Sequence, residues 1–171
     1  KIKLFLVISI CLIFFFLTYN DVKSEEVKII SGIAKVTDGD TIQIGKKKIR
    51  FFGIDAPETN QLCQKPWLTI SILTFNKSYP CGKISSNKLK NKIDNKFLIC
   101  KWTSIDRYKR FIAECFKNKK NINLWMVRNG YAVAYRKYSK KFIIQEKMAQ
   151  KEKLGLWAGT FDLPWVYRKK N

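Results

Sequence analysis

Four acidic residues lie close together in a chain that is otherwise strongly basic. Asp38, Asp40, Asp55 and Glu58 fall within about twenty positions, although the chain has only 13 acidic residues against 34 Lys plus Arg. Carboxylates, backbone carbonyls and waters are the ligands that Ca²⁺ prefers, and a bound cation offsets the repulsion between neighbouring acids. We therefore predict that Asp40 and Asp55 ligate Ca²⁺.

Two arginines and one further carboxylate complete the chemistry that this pattern predicts. Arg50 lies just before Asp55 in the chain, and Arg110 follows a predicted hairpin turn. A planar guanidinium matches a phosphate bidentately, and Glu58 is free to orient or deprotonate a water. Together with a cation, these groups would stabilise charge on a five-coordinate phosphorus, so the set is typical of phosphodiester hydrolysis.

Each of these residues also has an ordinary structural explanation. Asp38 and Gly39 form a common hairpin turn, Glu58 fits a solvated loop, and Arg50 fits a surface position on a strand. The combination, rather than any single residue, therefore carries the prediction. The chain contains no His, which excludes Ser-His and Cys-His triads, His general bases and His-ligated metals.

Short strands early in the chain would position these residues. Three segments are typical of successive strands: GIAKVT, DTIQI and KIRFFGI. A later hairpin is predicted from KFLICKW and RFIAECF. Residues 59–80 are predicted to form an irregular loop, because Pro66 and Pro80 interrupt them.

Helices are predicted mainly in the second half. One runs from Gly82 to about Asn95, and two more occupy NINLWMVRN and, after Ser139, KKFIIQEKMAQKEKL. The aromatic tail GLWAGTFDLPWVYRKK is expected to fold back on the domain. The pattern is α+β, a small closed sheet with packed helices, for which an OB-type barrel is the natural candidate.

The cysteines indicate disulfides. Cys63, Cys81, Cys100 and Cys115 follow the N-terminal segment, and an even number in an exported chain is typical of two bridges, with three pairings open. A cross-strand bond between Cys100 and Cys115 would leave Cys63 with Cys81, closing a loop that stabilises the fold by about 3 kcal/mol. Zinc is the competing interpretation, although the chain has neither Cys-x-x-Cys nor His.

Residues 1–24 have the pattern of a signal peptide. Lys1 and Lys3 precede the apolar run LFLVISICLIFFFL, which has the length of a signal core and is short for a spanning helix. After cleavage at Ser24, residues 25–171 would form a single domain in the periplasm or outside a bacterial cell. The alternative is an uncleaved N-terminal membrane anchor.

The net charge of +21 points to a polyanionic partner, either nucleic acid or an anionic membrane surface. However, Lys greatly outnumbers Arg, and with abundant Ile, Asn and Phe this balance also fits the bias of an AT-rich genome. Each Arg is therefore more informative than each Lys. Five tryptophans are expected to be core or packing residues: Trp67, Trp102, Trp125, Trp157 and Trp165.

Five motifs carry a resemblance to a known family: VTDGDTIQI, IRFFGIDAPE, DRYKR, MVRNGYAVAY and EKLGLW. In order and spacing they resemble the staphylococcal-nuclease-like (thermonuclease) family over about residues 32–168. The resemblance implies a five-stranded OB-fold barrel with about three packed helices. It also implies Ca²⁺-dependent hydrolysis of DNA and RNA, preferably single-stranded, that leaves 3′-phosphates. We expect a monomer with no stable protein partner.

The resemblance also implies roles by motif position. Asp40 and Asp55 are similar to the calcium carboxylates of the family, and the backbone carbonyl of Ala56 to a further ligand. Glu58 takes the position of the general base or water-orienting group. Arg50 takes that of a phosphate-binding arginine.

The hairpin motif implies a second group of residues, with one departure from the family. Arg110 is similar to the second phosphate-binding arginine, Tyr108 and Tyr135 to aromatic positions near the nucleotide, and Arg107 to a neighbouring basic position. Lys109 replaces the usual Gly. If that position needs positive φ, the Lys costs about 1 kcal/mol and would shift Arg110.

Two other functions stay open on the sequence. A non-catalytic OB-fold module that binds nucleic acid would keep the basic surface without turnover, and the Lys109 substitution fits it. The intact acids Asp40, Asp55 and Glu58 argue against it, because a pure binder of a polyanion needs no clustered acids. The third alternative is a surface or structural domain held by an uncleaved N-terminus.

Overall fold

A computed structural model describes residues 28–171, so the predicted signal segment 1–24 lies outside the described residues. The strands are β1 (Lys28–Asp38), β2 (Thr41–Ile44), β3 (Lys47–Phe51), β4 (Ile54–Asp55), β5 (Cys63–Ile70), β6 (Leu73–Tyr79), β7 (Phe97–Ile105), β8 (Phe111–Lys117), β9 (Lys120–Asn121) and β10 (Val133–Ala134). The helices are α1 (Cys81–Ile93), α2 (Ile122–Arg128), α3 (Ile143–Lys151) and α4 (Pro164–Lys170), with a 3₁₀ turn at Gly155–Ala158.

Five strands close into a barrel. They are hydrogen-bonded in the order β3-β2-β1-β7-β8, and β3 also pairs with β8. That closing pair is parallel, with Ile49 opposite Phe111, whereas the other barrel pairs are antiparallel. The predicted α+β class with a five-stranded OB-type barrel is confirmed. Four α-helices, rather than about three, accompany it among residues 28–171.

The alternation of side chains along short strands fills the barrel. In β3, Ile49 and Phe51 are buried, and Arg50 between them projects from the opposite face. Ile42 of β2 and Leu98 of β7 join the same buried cluster. Helix α1 packs on β1 and extends this core. Because its interior is filled with buried side chains, the barrel can hold side chains on its outer face in fixed positions.

The prediction of an irregular loop at residues 59–80 is wrong. Strands β5 and β6 form a two-stranded ribbon, paired from Cys63 opposite Tyr79 to Ile70 opposite Leu73. Pro66 is tolerated because it lies beside a register shift, and among residues 28–171 no further strand pairs with this ribbon that would need an N–H at that position. The prolines therefore led to the wrong prediction, because the β-branched and aromatic residues around them favour strands.

Trp67 is the tryptophan whose expected packing is wrong. It lies on the ribbon and is 68% exposed, because the ribbon projects from the barrel rather than covering it. The other four tryptophans are packed against buried clusters, as expected: Trp102, Trp125, Trp157 and Trp165.

The predicted helices are present, and one begins later than expected. Asn121 caps α2, since its side-chain oxygen accepts a hydrogen bond from the Leu124 N–H at 3.0 Å. Helix α3 begins at Ile143 because the Ser139 hydroxyl accepts from the Lys141 N–H at 3.1 Å in a local turn instead of capping the helix. This competition between local turn and helix cap is common for Ser.

The aromatic tail folds back as expected and ends in a fourth helix. Gln64 and Thr160 exchange two backbone hydrogen bonds of 2.9 Å, which fix the tail to the base of the ribbon. Helix α4 then begins with Pro164, at a position where no intrahelical N–H is needed.

The four cysteines form the two disulfides that the predicted hairpin favoured. Cys100 joins Cys115 directly across β7 and β8, and Cys63 joins Cys81. The zinc interpretation of these four cysteines is therefore wrong. Within residues 28–171, no helix has the length and apolar character needed to cross a membrane.

Candidate active site

Arg50 brings the two predicted metal ligands together. Asp40 lies in the turn between β1 and β2, Arg50 in β3, and Asp55 in β4. Thr41 is paired with Arg50 across the β2–β3 ladder, which sets Asp40 beside the guanidinium. Arg50 Nη1 donates to Asp40 Oδ1, and Nη2 donates to Asp55 Oδ1 at 2.5 Å. Both carboxylates are buried.

Asp40 is held from two further sides. Its Oδ2 accepts from the Ala56 N–H at 2.9 Å, and its Oδ1 accepts from the Thr41 hydroxyl at 3.0 Å. Gly39 allows this close packing, because a Cβ there would come within 2.7 Å of the Ala56 Cβ and 2.6 Å of the Ser85 Oγ. The Asp-Gly-Asp turn is thus required by the site as well as by the hairpin.

Arg168 also reaches this cluster, and sequence reasoning missed it. It lies on α4, and its Nη2 donates to Asp55 Oδ2 at 2.7 Å while Nη1 donates to Asp55 Oδ1 at 3.2 Å. The same Nη1 donates to Glu58 Oε1 at 2.6 Å. The signal in the sequence that could have identified Arg168 is its residue type, because Arg is much rarer than Lys in this chain.

Negative charge is concentrated at the cluster. Burial, with the charges of Asp40 and Glu58, raises the pKa of Asp38 to about 6. Burial and the charge of Asp40 also raise the pKa of Asp55, although Arg168 and Arg50 act in the opposite sense. The sequence indicates only a turn role for Asp38, but its carboxyl group also interacts electrostatically with Asp40 and Glu58 and is the fourth acid of the cluster.

Arg50 carries the opposite charge into this cluster. Burial alone would lower the pKa of Arg50, but the charges of Asp40 and Asp55 outweigh burial and raise it. The Arg50 side chain is only 15% exposed, so it places a fixed positive charge against the wall of the barrel.

The hairpin residues form a separate group. Arg110 Nε and Nη2 donate to Asp106 Oδ2 at 2.8 and 2.7 Å, and its guanidinium lies 5.3 Å from the centre of the Tyr108 ring. Arg107 lies against the same ring at 4.8 Å. Among the described residues, no hydrogen bond joins Arg110 to the four clustered acids. The backbone at Lys109 has φ of 61°, so the residue that replaces Gly does occupy the left-handed region.

Tyr135 lies at the edge of the acidic cluster. Its ring stacks on that of Trp165 with centroids 5.0 Å apart and planes 8° apart. Burial, and secondarily the charge of Asp55, raises the pKa of Tyr135. The C-terminal tail therefore supplies both the stacking partner of Tyr135 and the Arg168 contact to Asp55.

The donors present fit a hard divalent cation. Residues 28–171 contain no group of three or more His, Cys, Asp or Glu side chains that could hold a metal by themselves. Asp40 and Asp55, however, both contact the same guanidinium, which shows that their oxygens converge on one positive charge. Two carboxylates completed by carbonyl and water oxygens suit Ca²⁺ rather than Zn²⁺.

The sequence is similar to known proteins of one family. The model of the family described as "Staphylococcal nuclease homologue" matches residues 48–159. A protein of Haemophilus influenzae named "Uncharacterized endonuclease" is 35% identical over 134 residues, covering 74% of this chain and 65% of the relative. "Staphylococcal-like nuclease CAN1" of Arabidopsis thaliana is 28% identical over 145 residues, covering 82% of this chain and 39% of the relative.

A further relative has a name that does not mention a nuclease. "Succinoglycan biosynthesis protein ExoI" of Rhizobium meliloti is 34% identical over 106 residues, covering 61% of this chain. The chain spans 51% of the length of that protein and 65% of the Haemophilus protein. The closed barrel, the carboxylates gathered on Arg50 and the family match over most of the chain lead to one conclusion: the chain belongs to the staphylococcal nuclease family.

Proposed function

We propose that this chain is a Ca²⁺-dependent phosphodiesterase that hydrolyses DNA and RNA, prefers single strands and leaves 3′-phosphates. The observation that carries the proposal is the convergence of buried Asp40 and Asp55 on Arg50, with Glu58 beside them. Relatives that are named as nucleases and endonucleases support the same reaction class.

In this proposal Asp40 and Asp55 hold the cation, and the backbone carbonyl of Ala56 is a further ligand. A bound Ca²⁺ would supply positive charge where negative charge grows on the phosphate oxygens. The Ala56 N–H and the Thr41 hydroxyl keep Asp40 in one rotamer. Fixed carboxylates need no reorganisation when the substrate arrives, which favours catalysis.

Arg50 and Glu58 perform the chemistry on the phosphodiester. Arg50 uses one N–H of each Nη on Asp40 and Asp55, and it binds a non-bridging phosphate oxygen through its remaining guanidinium N–H groups. Glu58 is partly exposed, unlike the two cation ligands, so water can reach it. It orients a water towards phosphorus and accepts the proton that the attacking water loses as the new P–O bond forms. The P–O bond to the 5′ oxygen breaks, and that oxygen takes a proton from solvent and leaves as a hydroxyl.

The remaining predicted residues bind the nucleic acid. Arg110 is the second phosphate-binding arginine in this proposal, and it must exchange Asp106 for a phosphate when substrate binds. Tyr108 is exposed and Tyr135 presents a ring supported by Trp165. Both offer a face on which a base can stack. Arg107 adds positive charge beside Tyr108.

We further propose that the chain acts as a monomer in the periplasm or outside the cell. Its two disulfides fit an oxidising compartment. Mass spectrometry of the native protein tests the predicted cleavage, since an N-terminus at Glu25 is expected. An intact N-terminus in a membrane fraction would instead indicate the anchored form.

The deciding experiment is a nuclease assay controlled with a chelator. Purified protein is incubated with labelled single-stranded and double-stranded DNA and with RNA, in Ca²⁺ or in excess EGTA. We expect cleavage in Ca²⁺ alone, faster on single strands, with 3′-phosphate ends identified by mass spectrometry of the products. Cleavage that persists in EGTA contradicts the calcium role. Tight, salt-sensitive binding without cleavage would favour the non-catalytic binding module.

A further inference from the structure

The geometry points to an additional role for Arg168: we propose that its guanidinium takes the place of the cation at Asp55, while also pairing with Glu58, and so weakens Ca²⁺ binding. Arg168 is then a positioning residue that sets how much Ca²⁺ the site requires. The inference rests on the proposed function in one respect, the assignment of Asp55 to the cation.

The contacts of Asp55 are the first observation. Its Oδ2 accepts from Arg168, and its Oδ1 accepts from both Arg50 and Arg168. Both oxygens of a completely buried carboxylate are thus occupied by guanidinium donors. Hydrogen bonds between ionised groups are short and roughly twice as strong as neutral ones. Arg168 is the donor at Oδ2, so a cation that coordinates Asp55 through this oxygen would lie against the positive charge of Arg168 unless that side chain moves away.

The second observation identifies Arg168 as the donor that leaves. Arg50 lies in a barrel strand, is only 15% exposed and also contacts Asp40. Arg168 is 37% exposed and extends from the last helix of the chain. Its side chain can rotate into solvent, whereas Arg50 has no such freedom.

The main chain that carries Arg168 is fixed, so only the side chain has to move. Trp165 stacks on Tyr135 with centroids 5.0 Å apart. The buried Gln61 side chain donates to the Asp162 carbonyl at 2.7 Å just before α4. A guanidinium held at this distance from the acids returns to them whenever the cation is absent, which keeps the buried charge of Asp55 paired.

The test measures Ca²⁺ affinity directly, by isothermal titration calorimetry on wild-type protein and variants without substrate. We expect Arg168→Gln to bind Ca²⁺ roughly tenfold more tightly or better, which corresponds to the strength of a hydrogen bond between charged groups. Arg168→Lys keeps the charge but lacks the bidentate fork, so its affinity should fall between the two. Lys169→Gln is the matched control, because it removes one positive charge from the same helix and should bind Ca²⁺ like wild type.

Thermal unfolding supplies a second readout. In EGTA, Arg168→Gln should unfold at a lower temperature than wild type, because Asp55 loses part of its pairing. Saturating Ca²⁺ should remove most of that difference. A deficit that persists at the same size in Ca²⁺ would mean that Arg168 acts only in the fold.

The outcomes separate this inference from the proposed function. If wild type binds Ca²⁺ and cuts DNA while Arg168→Gln shows unchanged or weaker affinity, the inference is wrong and the function stands. An unchanged Ca²⁺ affinity with a raised KM for oligonucleotide would assign Arg168 to phosphate binding instead. If neither protein binds Ca²⁺, and neither cuts DNA in its presence, both the calcium function and the inference are overturned.

Discussion

At the scale of single residues, the candidate site buries ionised side chains and pairs each of them with an opposite charge. Asp55 is completely buried, and an isolated charge in that position would cost several kcal/mol. Arg50 and Arg168 offset this cost from two sides. The arrangement implies that a change at one of these positions alters both the stability and the chemistry. Glu58, which is partly exposed, is where the two effects can be separated.

Replacing Glu58 by Gln should therefore abolish most activity and leave the fold intact. Gln keeps the size of the side chain but cannot accept the proton of the attacking water, so we expect kcat to fall by about 10²–10³-fold. Circular dichroism and thermal unfolding should match wild type to within a few degrees. Glu152→Gln is the control, since Glu152 pairs with Arg128 elsewhere on the surface. A Glu58→Gln enzyme with near-normal kcat would remove Glu58 from the mechanism.

The backbone conformation of Lys109 leads to a second prediction, which concerns the stability of the fold. Its φ of 61° is costly for any residue with a Cβ, by about 1 kcal/mol. Lys109→Gly should therefore raise the free energy of unfolding by about that amount, or by somewhat less because Gly is more flexible in the unfolded chain. Urea denaturation measures the change. Lys109→Ala keeps the Cβ and removes the charge, so it should give no comparable gain. Equal stabilisation by Ala would show that charge, not backbone conformation, is responsible.

Asp106 gives a prediction about pH. Burial favours its neutral form, but the hydrogen bonds and charge of Arg110 hold the pKa of Asp106 below its ordinary value. A lowered pKa in the folded state stabilises the fold above the unfolded-state pKa, and this contribution disappears as pH falls through the folded-state pKa. Asp106→Asn should therefore reduce stability at pH 7 by about 0.5 kcal/mol, as expected for a partly exposed ion pair. The difference from wild type should shrink below about pH 4.

Urea unfolding of both proteins at pH 7 and pH 3 checks this prediction. Asp162→Asn is a suitable comparison, because Asp162 pairs with Lys170 in a more exposed position. A difference between Asp106→Asn and wild type that stays constant from pH 7 to pH 3 would mean that the loss is one of turn geometry rather than charge.

The sequence could identify the local part of the site but not the distant part. Asp40, Arg50, Asp55 and Glu58 meet because short strands and a tight turn connect them, and such spacing is readable from a motif. Arg168 contacts Asp55 across 113 positions in the chain. Its arrival depends on how an aromatic tail packs after the barrel has formed, and no local pattern encodes that. Arg110 was predicted at the site because its motif is recognisable in the sequence. Its ion pair with Asp106 depends on the rotamer of the side chain, which a motif does not encode.

At the scale of elements, the barrel and helices were predictable because hydrophobic alternation and capping residues are strong local signals. The β5–β6 ribbon was missed because Pro66 and Pro80 suggested a break, while the surrounding β-branched and aromatic residues favoured strands. An isolated two-stranded ribbon is marginally stable in water. The Cys63–Cys81 bond at its base therefore has a specific structural task, which is to join the ribbon to the start of α1.

Removing each disulfide in turn should show different consequences. The two bridges close loops of similar separation, 18 and 15 residues, so the chain-entropy model assigns about 3 kcal/mol to each. Both double variants should lose somewhat more than that, because all four cysteines are buried and their replacement by Ala leaves a cavity. The cavity lies in the barrel core for Cys100→Ala/Cys115→Ala, and in the smaller cluster beside the ribbon for Cys63→Ala/Cys81→Ala.

Denaturant unfolding gives the two losses, and limited proteolysis locates them. We expect early cleavage within residues 63–79 only in the Cys63→Ala/Cys81→Ala variant, because opening the base frees the ribbon. Protection of the ribbon in that variant would show that the bridge does not hold it. A loss clearly below about 3 kcal/mol in either double variant would contradict the chain-entropy and cavity arguments for that bridge.

At the scale of the whole molecule, the net charge of +21 raises the question of whether the lysine-rich surface takes part in binding nucleic acid. If the charge is only compositional, nucleic-acid binding should depend on the arginines of the site and hairpin: Arg50, Arg107 and Arg110. Three phosphate contacts would give a slope of about −2 for log K against log salt concentration with single strands. If the lysine-rich surface also collects the phosphate chain, the slope must be steeper.

We predict the steeper slope, because lysines surround the barrel on several elements and far outnumber the acids that could pair with them. The measurement uses the Glu58→Gln variant, so that a labelled single-stranded oligonucleotide is bound but not cut, with Ca²⁺ fixed and salt varied from about 50 to 200 mM. A slope near −4 or below would require at least three contacts beyond the arginines. A slope near −2 would leave the lysine excess without a role in binding. In that case the positive charge of this chain is a matter of composition, and the work of holding the substrate falls to the few arginines and to the cation.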